Sequence, residues 1–374
     1  MIYRQLVKNV ENRLFKGKAL IIIGARQVGK TTLINQIAKS TEGVLRLNAD
    51  NQDTRVFFEN PNTSWLKKDL AGVKLLIIDE AQQIPDIGRK LKLITDELQG
   101  VQLIATGSSA FEISNKLNEP LTGRKFEYIM FPVSVEEMIN HHGAITEHRL
   151  LKHRLIYGFY PEIITAEGDE VELLSQLVDS YLFKDILMLG NLMKSDKLVK
   201  LLQALAFQLG NQVSYHELGK IVGLSSETVE NYILLLEQSF IVFRLPTYSR
   251  NPRNELTKTR KVYFYDNGVR NALIANYNQI DLRQDVGALW ENFMISERMK
   301  YLNYNKIRAN RFFWRTKAQQ EVDYLEEREG NLYGYEFKWN PLSKGKITKA
   351  FTNAYPNAIT QLITNENYMD FITE

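Results

Sequence analysis

The segment that most constrains the fold is the glycine-spaced sequence Gly-Ala-Arg-Gln-Val-Gly-Lys-Thr at positions 24–31. It follows an apolar run, Ala19–Ile23, and precedes a helical pattern that starts near Leu33. The glycines let successive backbone amides turn towards a phosphate, Lys30 adds a positive charge, and the Thr31 hydroxyl can bind Mg²⁺. The pattern predicts a phosphate-binding loop between a strand and a helix. The residues of this predicted loop are Gly24, Ala25, Arg26, Gln27, Val28, Gly29, Lys30, Thr31 and Thr32.

Two further apolar runs, at residues 73–78 and 101–105, are continuous rather than alternating. Continuous apolar strands are typical of a parallel sheet that is covered on both faces. Residues 1–140 are therefore predicted to form an α/β domain in which helices enclose a parallel sheet.

The strand at 73–78 ends in two carboxylates, Asp79 and Glu80. At the carboxyl edge of such a sheet, Asp79 is expected to hold Mg²⁺ through water, and Glu80 to orient and deprotonate an attacking water. An acidic pair in this place can also simply stabilise a helix N-terminus. Together with Lys30, the pair favours hydrolysis of a bound nucleotide, with ATP and Mg²⁺ as the expected cofactors.

Two more residues are candidates for contact with the γ-phosphate. Ser108 follows the strand at 101–105, and Arg124 lies farther along the chain, where it would act as a cationic finger in catalysis. The alternatives are an ordinary turn at Ser108 and an exposed surface arginine at Arg124.

The nucleotide motifs together resemble a known family. Gly-Ala-Arg-Gln-Val-Gly-Lys-Thr-Thr (24–32), Ile-Asp-Glu-Ala-Gln (78–82), Thr-Gly-Ser-Ser (106–109), Leu-Thr-Gly-Arg (121–124) and Phe-Pro-Val-Ser (131–134) are similar to prokaryotic AAA-type P-loop ATPases. More narrowly, the chain resembles members that have an uncharacterised C-terminal domain related to restriction-endonuclease folds. The resemblance extends through Gly-Phe-Tyr-Pro-Glu (158–162) to the C-terminal region. It implies ATP hydrolysis, and a likeness to STAND-type signalling ATPases implies a phosphate-proximal Arg124.

The middle region, 141–280, is predicted to contain helices and a winged helix-turn-helix. Apolar spacing predicts a helix over Lys197–Leu209, and Ser214 with Glu217 has the spacing of a capping box. A turn at Gly223 leads to a second helix, Glu227–Gln238, and strand candidates follow at 241–243 and 262–265. Such a unit binds DNA in some proteins and serves as an internal scaffold in others.

The last region, 281–374, is predicted to be a small α+β domain of restriction-endonuclease-like fold. If a hairpin turns near Gly330, Asp323 lies opposite Glu336, and Lys338 shares a face with Glu336. This set resembles the PD-(D/E)XK nucleases, in which Glu291 would match the helical glutamate. Metal ligands are then expected at Glu291, Asp323 and Glu336, with Lys338 catalytic. Acid-x-Lys on an alternating strand is also common on solvated faces.

Basic residues in the C-terminal half suggest a polyanionic partner. Residues 298–317 hold seven lysines and arginines and no acid, with aromatic residues interleaved. The predicted nucleic-acid contacts are Arg250, Arg253, Lys258, Arg260, Lys261, Arg311, Arg315 and Lys317. DNA is the expected partner, although RNA fits the same pattern, and a solvated charged face is the alternative.

Composition limits the kinds of site that the chain can have and the compartment in which it is expected. The chain of 374 residues has no cysteine and a formal net charge of +3, so disulfides and thiolate metal sites are excluded. Its apolar runs are shorter than the about 20 residues that cross a bilayer, and its start lacks a signal-peptide core, so a cytoplasmic protein without a membrane role is expected. Two functions remain open: an ATPase that engages nucleic acid, with possible ATP-regulated nuclease activity, or a regulatory ATPase whose inactive C-terminal domain binds a protein partner or a second copy.

Overall fold

The computed structural model describes residues 1–59, 63–108, 121–179, 195–249, 260–342, 345 and 347–374. The chain divides into two compact units, one mainly of residues 1–132 and the other mainly of residues 133–374. The boundaries at 140 and 280 stay predictions. Among the described residues, no helix combines the length and apolarity that a bilayer span requires.

The first unit is built on a five-stranded parallel sheet, as the apolar runs predict. Its strands are β1 (Ala19–Ile23), β2 (Val44–Asn48), β3 (Leu75–Asp79), β4 (Gln102–Gly107) and β5 (Lys125–Ile129). Their order across the sheet is β2-β3-β4-β1-β5, and each neighbouring pair is parallel. Strands β1, β3 and β4 are buried along their whole length, which explains their uninterrupted apolar sequences.

Helices complete this α/β unit. They are α1 (Leu6–Glu11), α2 (Lys30–Lys39), α3 (Gln52–Phe57), α4 (Thr63–Asp69) and α5 (Ile87–Glu97). Strands β2 and β5 lie at the two edges of the sheet and are only partly buried. Their mixed polar sequences did not stand out as strands for that reason.

The register of the sheet decides which residues meet at its ends. Ile23 of β1 pairs with Gly107 of β4, and Ala105 of β4 pairs with Ile78 of β3. The residues that follow β1, β3 and β4 therefore share the carboxyl edge. Residues that precede β5 lie at the opposite, amino edge, because Ala19 pairs with Lys125.

The second unit is largely helical in its first part. Its helices before residue 280 are α6 (Val135–His142), α7 (Ala144–Arg149), α8 (Leu151–Tyr157), α9 (Pro161–Ile164), α10 (Glu170–Leu177), α11 (Ser195–Phe207), α12 (Tyr215–Val222), α13 (Ser226–Gln238) and α14 (Asn267–Leu273). Helix α6 starts with a full capping box between Ser134 and Glu137, which the sequence reasoning missed. At α12, Ser214 Oγ accepts a hydrogen bond from the Glu217 amide at 3.3 Å.

A three-stranded antiparallel sheet accompanies α12 and α13. It consists of β6 (Gln212–Val213), β7 (Val242–Pro246) and β8 (Arg260–Phe264) in the order β6-β8-β7. The two predicted helices and both predicted strands of this segment are present, with ends shifted by a few residues.

The C-terminal part is a four-stranded mixed sheet flanked by helices. Its elements are α15 (Val286–Tyr304), β9 (Asn310–Arg315), β10 (Glu321–Arg328), β11 (Asn331–Phe337), α16 (Lys349–Ala354), β12 (Ile359–Ile363) and α17 (Tyr368–Thr373). The sheet order is β12-β11-β10-β9, and only the β11–β12 pair is parallel. Tyr324 pairs with Tyr335 across the β10–β11 hairpin, a register that puts Asp323 opposite Glu336 as predicted.

Buried ion pairs fix α15 in this unit. Arg298 donates to both carboxylate oxygens of Glu326 at 2.7 and 3.2 Å, and also to the backbone oxygen of Phe371. Lys300 pairs with Glu297 and donates to the Val133 backbone oxygen. Arg298 and Lys300 therefore leave the predicted basic surface, since both side chains are buried.

Replacing Arg298 by methionine is expected to destabilise the second unit by about 3–5 kcal/mol, because it removes the bidentate partner of a buried carboxylate. Urea unfolding of the full chain, followed by tryptophan fluorescence, measures this loss. Lys152→Met is the matched control, since Lys152 and Asp281 form an exposed pair worth less than about 1 kcal/mol. Equal losses for the two variants would contradict the prediction.

Candidate functional site

The predicted phosphate-binding loop joins β1 to α2 at the carboxyl edge of the parallel sheet. Gln27 and Gly29 have positive φ angles of 58° and 97°. A Cβ at Gly24 would lie 2.1 Å from the Met130 backbone oxygen, so only glycine fits there. Helix α2 begins at Lys30, so its N-terminal amides and the exposed Thr31 and Thr32 lie at the loop.

Two cations organise the loop. The buried ammonium of Lys30 donates to the backbone oxygens of Gly24 and Ala25 at 2.9 and 2.7 Å, so it lies inside the loop. The guanidinium of Arg4 donates to the Val28 oxygen at 2.6 Å and to the Phe131 oxygen at 2.7 Å. Arg4 thereby ties the loop to the segment that follows β5.

Asp79 is held by hydroxyl groups on both sides. Thr31 Oγ1 donates to Asp79 Oδ2 at 2.8 Å, and Thr106 Oγ1 donates to Asp79 Oδ1. Thr106 Oγ1 also accepts from the Glu80 amide at 3.2 Å. Mg²⁺ prefers oxygen ligands, and the adjacent oxygens of Thr31 and Asp79 at the loop provide them. The donor set therefore fits this ion.

Glu80 and Ser108 are joined through a third residue. Gln82, in the short 3₁₀ turn after β3, donates from Nε2 to Glu80 Oε2 at 2.5 Å and to Ser108 Oγ at 2.9 Å. The Gly24 amide donates to the Gly107 oxygen at 3.3 Å, so the residue before Ser108 contacts the start of the loop. The structure thus brings Lys30, Thr31, Asp79, Glu80 and Ser108 to one edge of the sheet.

Arg124 is placed elsewhere. Its backbone oxygen accepts from the Ala19 amide at the amino edge, and its guanidinium pairs with Asp96 at 2.6 Å. The five residues of β1 separate this edge from the loop by about 16 Å at about 3.3 Å per residue. The expectation that Arg124 lies near the phosphates of its own site is therefore wrong.

A second group of candidates lies in the C-terminal sheet. Ligand oxygens of Glu291, Glu321 and Asp323 lie within 4.8 Å of one another. Lys338 Nζ donates to Glu336 Oε1 at 2.8 Å, and Asp323 Oδ2 accepts from the Phe337 amide at 2.9 Å. We call Glu291, Glu321, Asp323 and Glu336 the carboxylate cluster.

Burial and mutual repulsion govern the charges of this cluster. Burial raises the pKa of Asp323 well above its usual range, and the nearby carboxylates of Glu291 and Glu336 act in the same direction. Burial also raises the pKa of Glu336, against the ammonium of Lys338. Glu336 Oε2 is buried without a hydrogen-bond partner among the described residues. Crowded carboxylates with a spare oxygen fit a divalent cation.

A buried lysine forms ion pairs with two members of the carboxylate cluster. The buried ammonium of Lys261, on β8, lies 2.9 Å from Glu291 Oε1 and also pairs with Glu321. Burial by itself would lower the pKa of Lys261, but Glu291 and Glu321 outweigh it, so the pKa is raised. Tyr263 donates to Glu291 from the same strand. Burial therefore removes Lys261 from the predicted nucleic-acid contacts.

The other predicted nucleic-acid contacts differ in exposure. Arg311 is partly buried and Lys317 is exposed. Arg315 pairs with Glu321 at 3.2 Å, and Arg260 approaches Glu230 at 3.8 Å. The predicted contacts Arg250, Arg253 and Lys258 lie outside the described residues.

Sequence reasoning missed several residues at these sites. Gln82 was within a quoted motif, and its spacing from Glu80 was the available signal. Glu321 stands two positions before Asp323, so alternation put both on one face. Arg4 contacts the loop from a distant part of the chain, and no local pattern signals it.

Comparisons with known proteins agree with this arrangement. Residues 16–139 match the family model described as an AAA domain. Residues 148–286 and 286–371 match two domains of unknown function, DUF8612 and DUF4143. A Walker-type ATPase of Pyrococcus abyssi has a similar structure, with a TM-score of 0.51 and 14% identity over 73% of this chain and 96% of that one.

The relatives found by sequence are distant, with 24% and 25% identity for the two described here. An uncharacterized protein of Mycobacterium tuberculosis is 24% identical over 341 residues, which cover 90% of this chain and 73% of the relative. One of Haemophilus influenzae is 25% identical over 294 residues, covering 69% and 70%. The fold and the matched domain define the class: the first unit is an AAA-type P-loop ATPase domain, and helical and α+β segments follow it.

Replacing Gly24 by alanine is expected to weaken ATP binding at least about tenfold and to destabilise the first unit by about 1–3 kcal/mol, because the new methyl group meets backbone rather than a movable side chain. Binding of a fluorescent ATP analogue and thermal unfolding measure the two effects. Gly287→Ala is the control, since nothing lies within 4 Å of its Cβ. Unchanged ATP affinity in Gly24→Ala would refute the prediction.

Proposed function

We propose that the chain binds and hydrolyses ATP with Mg²⁺ and that this reaction controls a C-terminal half that engages nucleic acid and cleaves it at the carboxylate cluster. The observation that carries the proposal is the hairpin register that sets Asp323 opposite Glu336 beside Lys338. An ATPase domain and a candidate cleavage site thus occur in one chain.

Each residue of the nucleotide site has a proposed role in hydrolysis. Lys30 and the loop amides bind the phosphates, and Thr31 and Asp79 hold Mg²⁺. Bound Mg²⁺ supplies charge neutralisation at the phosphate oxygens. Glu80 accepts the proton of the attacking water, and Ser108 donates a hydrogen bond to a phosphate oxygen. The hydroxyl donors Thr31 and Thr106 fix the orientation of the Asp79 carboxylate.

The carboxylate cluster has proposed roles in phosphodiester cleavage. Glu291, Asp323 and Glu336 would hold a divalent metal through their oxygens, with Glu321 as an additional ligand. The metal would supply Lewis-acid activation of the phosphate. Lys338 stabilises negative charge on the reacting group, and its position next to Glu336 fits the PD-(D/E)XK resemblance.

The neighbouring strand offers cations for the nucleic-acid backbone. Arg311 and Arg315 are on β9, which pairs with β10 of the cluster, and Lys317 follows in the next turn. Cations next to a cleavage site favour binding of DNA and of RNA, because both have a negatively charged phosphate backbone. DNA is the proposed partner, and RNA serves as a comparison substrate.

Asp323→Asn is expected to reduce cleavage of DNA by at least about a hundredfold, because it removes a metal-binding charge without changing shape. Single-stranded and duplex DNA and RNA are incubated with the full chain, Mg²⁺ or Mn²⁺, and ATP or none. Asp281→Asn, at an exposed ion pair, is the matched control and should cleave normally. Lys30→Ala then reports whether ATP controls cleavage.

Cleavage that persists in both Asp323→Asn and Lys338→Ala would rule out this cluster as the cleavage site. Phosphate release from ATP that does not exceed the rate of Glu80→Gln would rule out the proposed hydrolysis. Cleavage that is lost in Asp323→Asn but is indifferent to Lys30→Ala would retain the nuclease and remove the ATP control.

Lys261 favours a second candidate function. In this alternative, the chain is a nucleotide-dependent regulatory switch whose C-terminal domain is catalytically inactive and binds a protein partner or a second copy. Three carboxylates of the cluster, Glu291, Glu321 and Glu336, form ion pairs with Lys261, Arg315 and Lys338. Such pairing neutralises most of the charge that would attract a metal.

The two candidates differ in Mn²⁺ affinity. If Lys261 replaces the metal, Lys261→Met should bind Mn²⁺ at least about tenfold more tightly than the unaltered chain, since a competing charge is removed. Electron paramagnetic resonance of free Mn²⁺ in the absence of nucleotide measures the affinity, with exposed Lys152→Met as the control. Tight Mn²⁺ binding by the unaltered chain that is changed less than threefold in Lys261→Met would favour the nuclease.

A further inference from the structure

Gln82 is the one described residue whose side chain contacts both Glu80 and Ser108 in the hydrogen bonds of this site. Its side chain is buried, and the 3₁₀ turn Ala81–Gln83 places it directly after the carboxylates that end β3. The turn is closed by a hydrogen bond of 3.0 Å from the Gln83 amide to the Glu80 oxygen. Gln82 therefore has a fixed position relative to Glu80.

The direction of these hydrogen bonds follows from chemistry. An ionised carboxylate only accepts hydrogen bonds, so the amide nitrogen of Gln82 must face Glu80. The same nitrogen then donates to Ser108 Oγ at 2.9 Å, and Ser108 is an acceptor in this contact. Because a serine hydroxyl has a single proton, that proton of Ser108 stays available for another acceptor, such as a phosphate oxygen.

The amide oxygen of Gln82 is the second part of the observation. Oε1 is buried and has no hydrogen-bond partner among the described residues. A buried acceptor without a partner costs about 1–3 kcal/mol. Since solvent does not reach this oxygen, the amide nitrogen is the atom of Gln82 that acts on Glu80 and Ser108.

We propose that Gln82 is a positioning residue for ATP hydrolysis: its amide nitrogen holds Glu80 in place and leaves the proton of the Ser108 hydroxyl free to be donated to a phosphate oxygen. This inference rests on the roles of Glu80 and Ser108 in the proposed function. It assigns to Gln82 an effect on the chemical step and none on the binding of ATP, which Lys30 and the loop amides provide.

The test compares two neighbouring glutamines. Gln82→Met keeps the length of the side chain and removes its hydrogen bonds, so kcat for ATP is expected to fall about a hundredfold. KM and the affinity for a fluorescent ATP analogue should change less than threefold. Gln83→Met is the matched control, because Gln83 lies in the same turn but is exposed, and its kcat should equal that of the unaltered chain.

The outcomes separate the inference from the function on which it rests. If Gln82→Met keeps kcat within threefold of the unaltered chain, the role of Gln82 is overturned while ATP hydrolysis stands. If the unaltered chain releases phosphate no faster than Glu80→Gln, the proposed hydrolysis fails and the role of Gln82 fails with it. Should Gln82→Met lose its affinity for the ATP analogue, the assignment to the chemical step is wrong.

Discussion

The parallel pairing of β1 with β4, and of β4 with β3, is the constraint on which the nucleotide site depends. Parallel strands end at the same edge of a sheet, so three segments that are far apart in sequence meet there. The loop after β1 contributes Lys30, β3 ends in Asp79, and Ser108 follows β4. A hydrogen bond from the Gly24 amide to the Gly107 backbone oxygen then connects the loop to β4.

Much of this arrangement could be predicted from sequence because it is encoded locally. The strands β1, β3 and β4 have continuous apolar sequences, and the loop motif stands between a strand and a helix. Edge strands β2 and β5 carry polar residues on their exposed sides and lack that signal. The predicted position of Arg124 was wrong for a related reason. A residue between two strands can lie at either the amino or the carboxyl edge of the sheet, and here the position of the following strand β5 places it at the amino edge.

In the C-terminal site, too, the sequence predicted the local pairing of residues but not the contacts between distant parts of the chain. A hairpin register follows from the position of its turn, so the pairing of Asp323 with Glu336 was predictable and the structure confirms it. Lys261 reaches the carboxylate cluster from a strand 30 residues before Glu291, and no short-range pattern contains that contact. Arg298 and Lys300 read as surface charges because sequence alone does not show their buried acidic partners.

Helix α15 has a consequence for how the C-terminal site can change. It carries Glu291 in its first half, and its second half is fastened by Arg298 to Glu326 and to the backbone of Phe371 in α17. A helix of 19 residues is about 29 Å long. Because such a helix resists bending, a shift of its second half along the helix axis also shifts its first half. The position of Glu291 therefore depends on the packing of α17, and substitutions in α17 should displace this carboxylate without changing any residue of the carboxylate cluster.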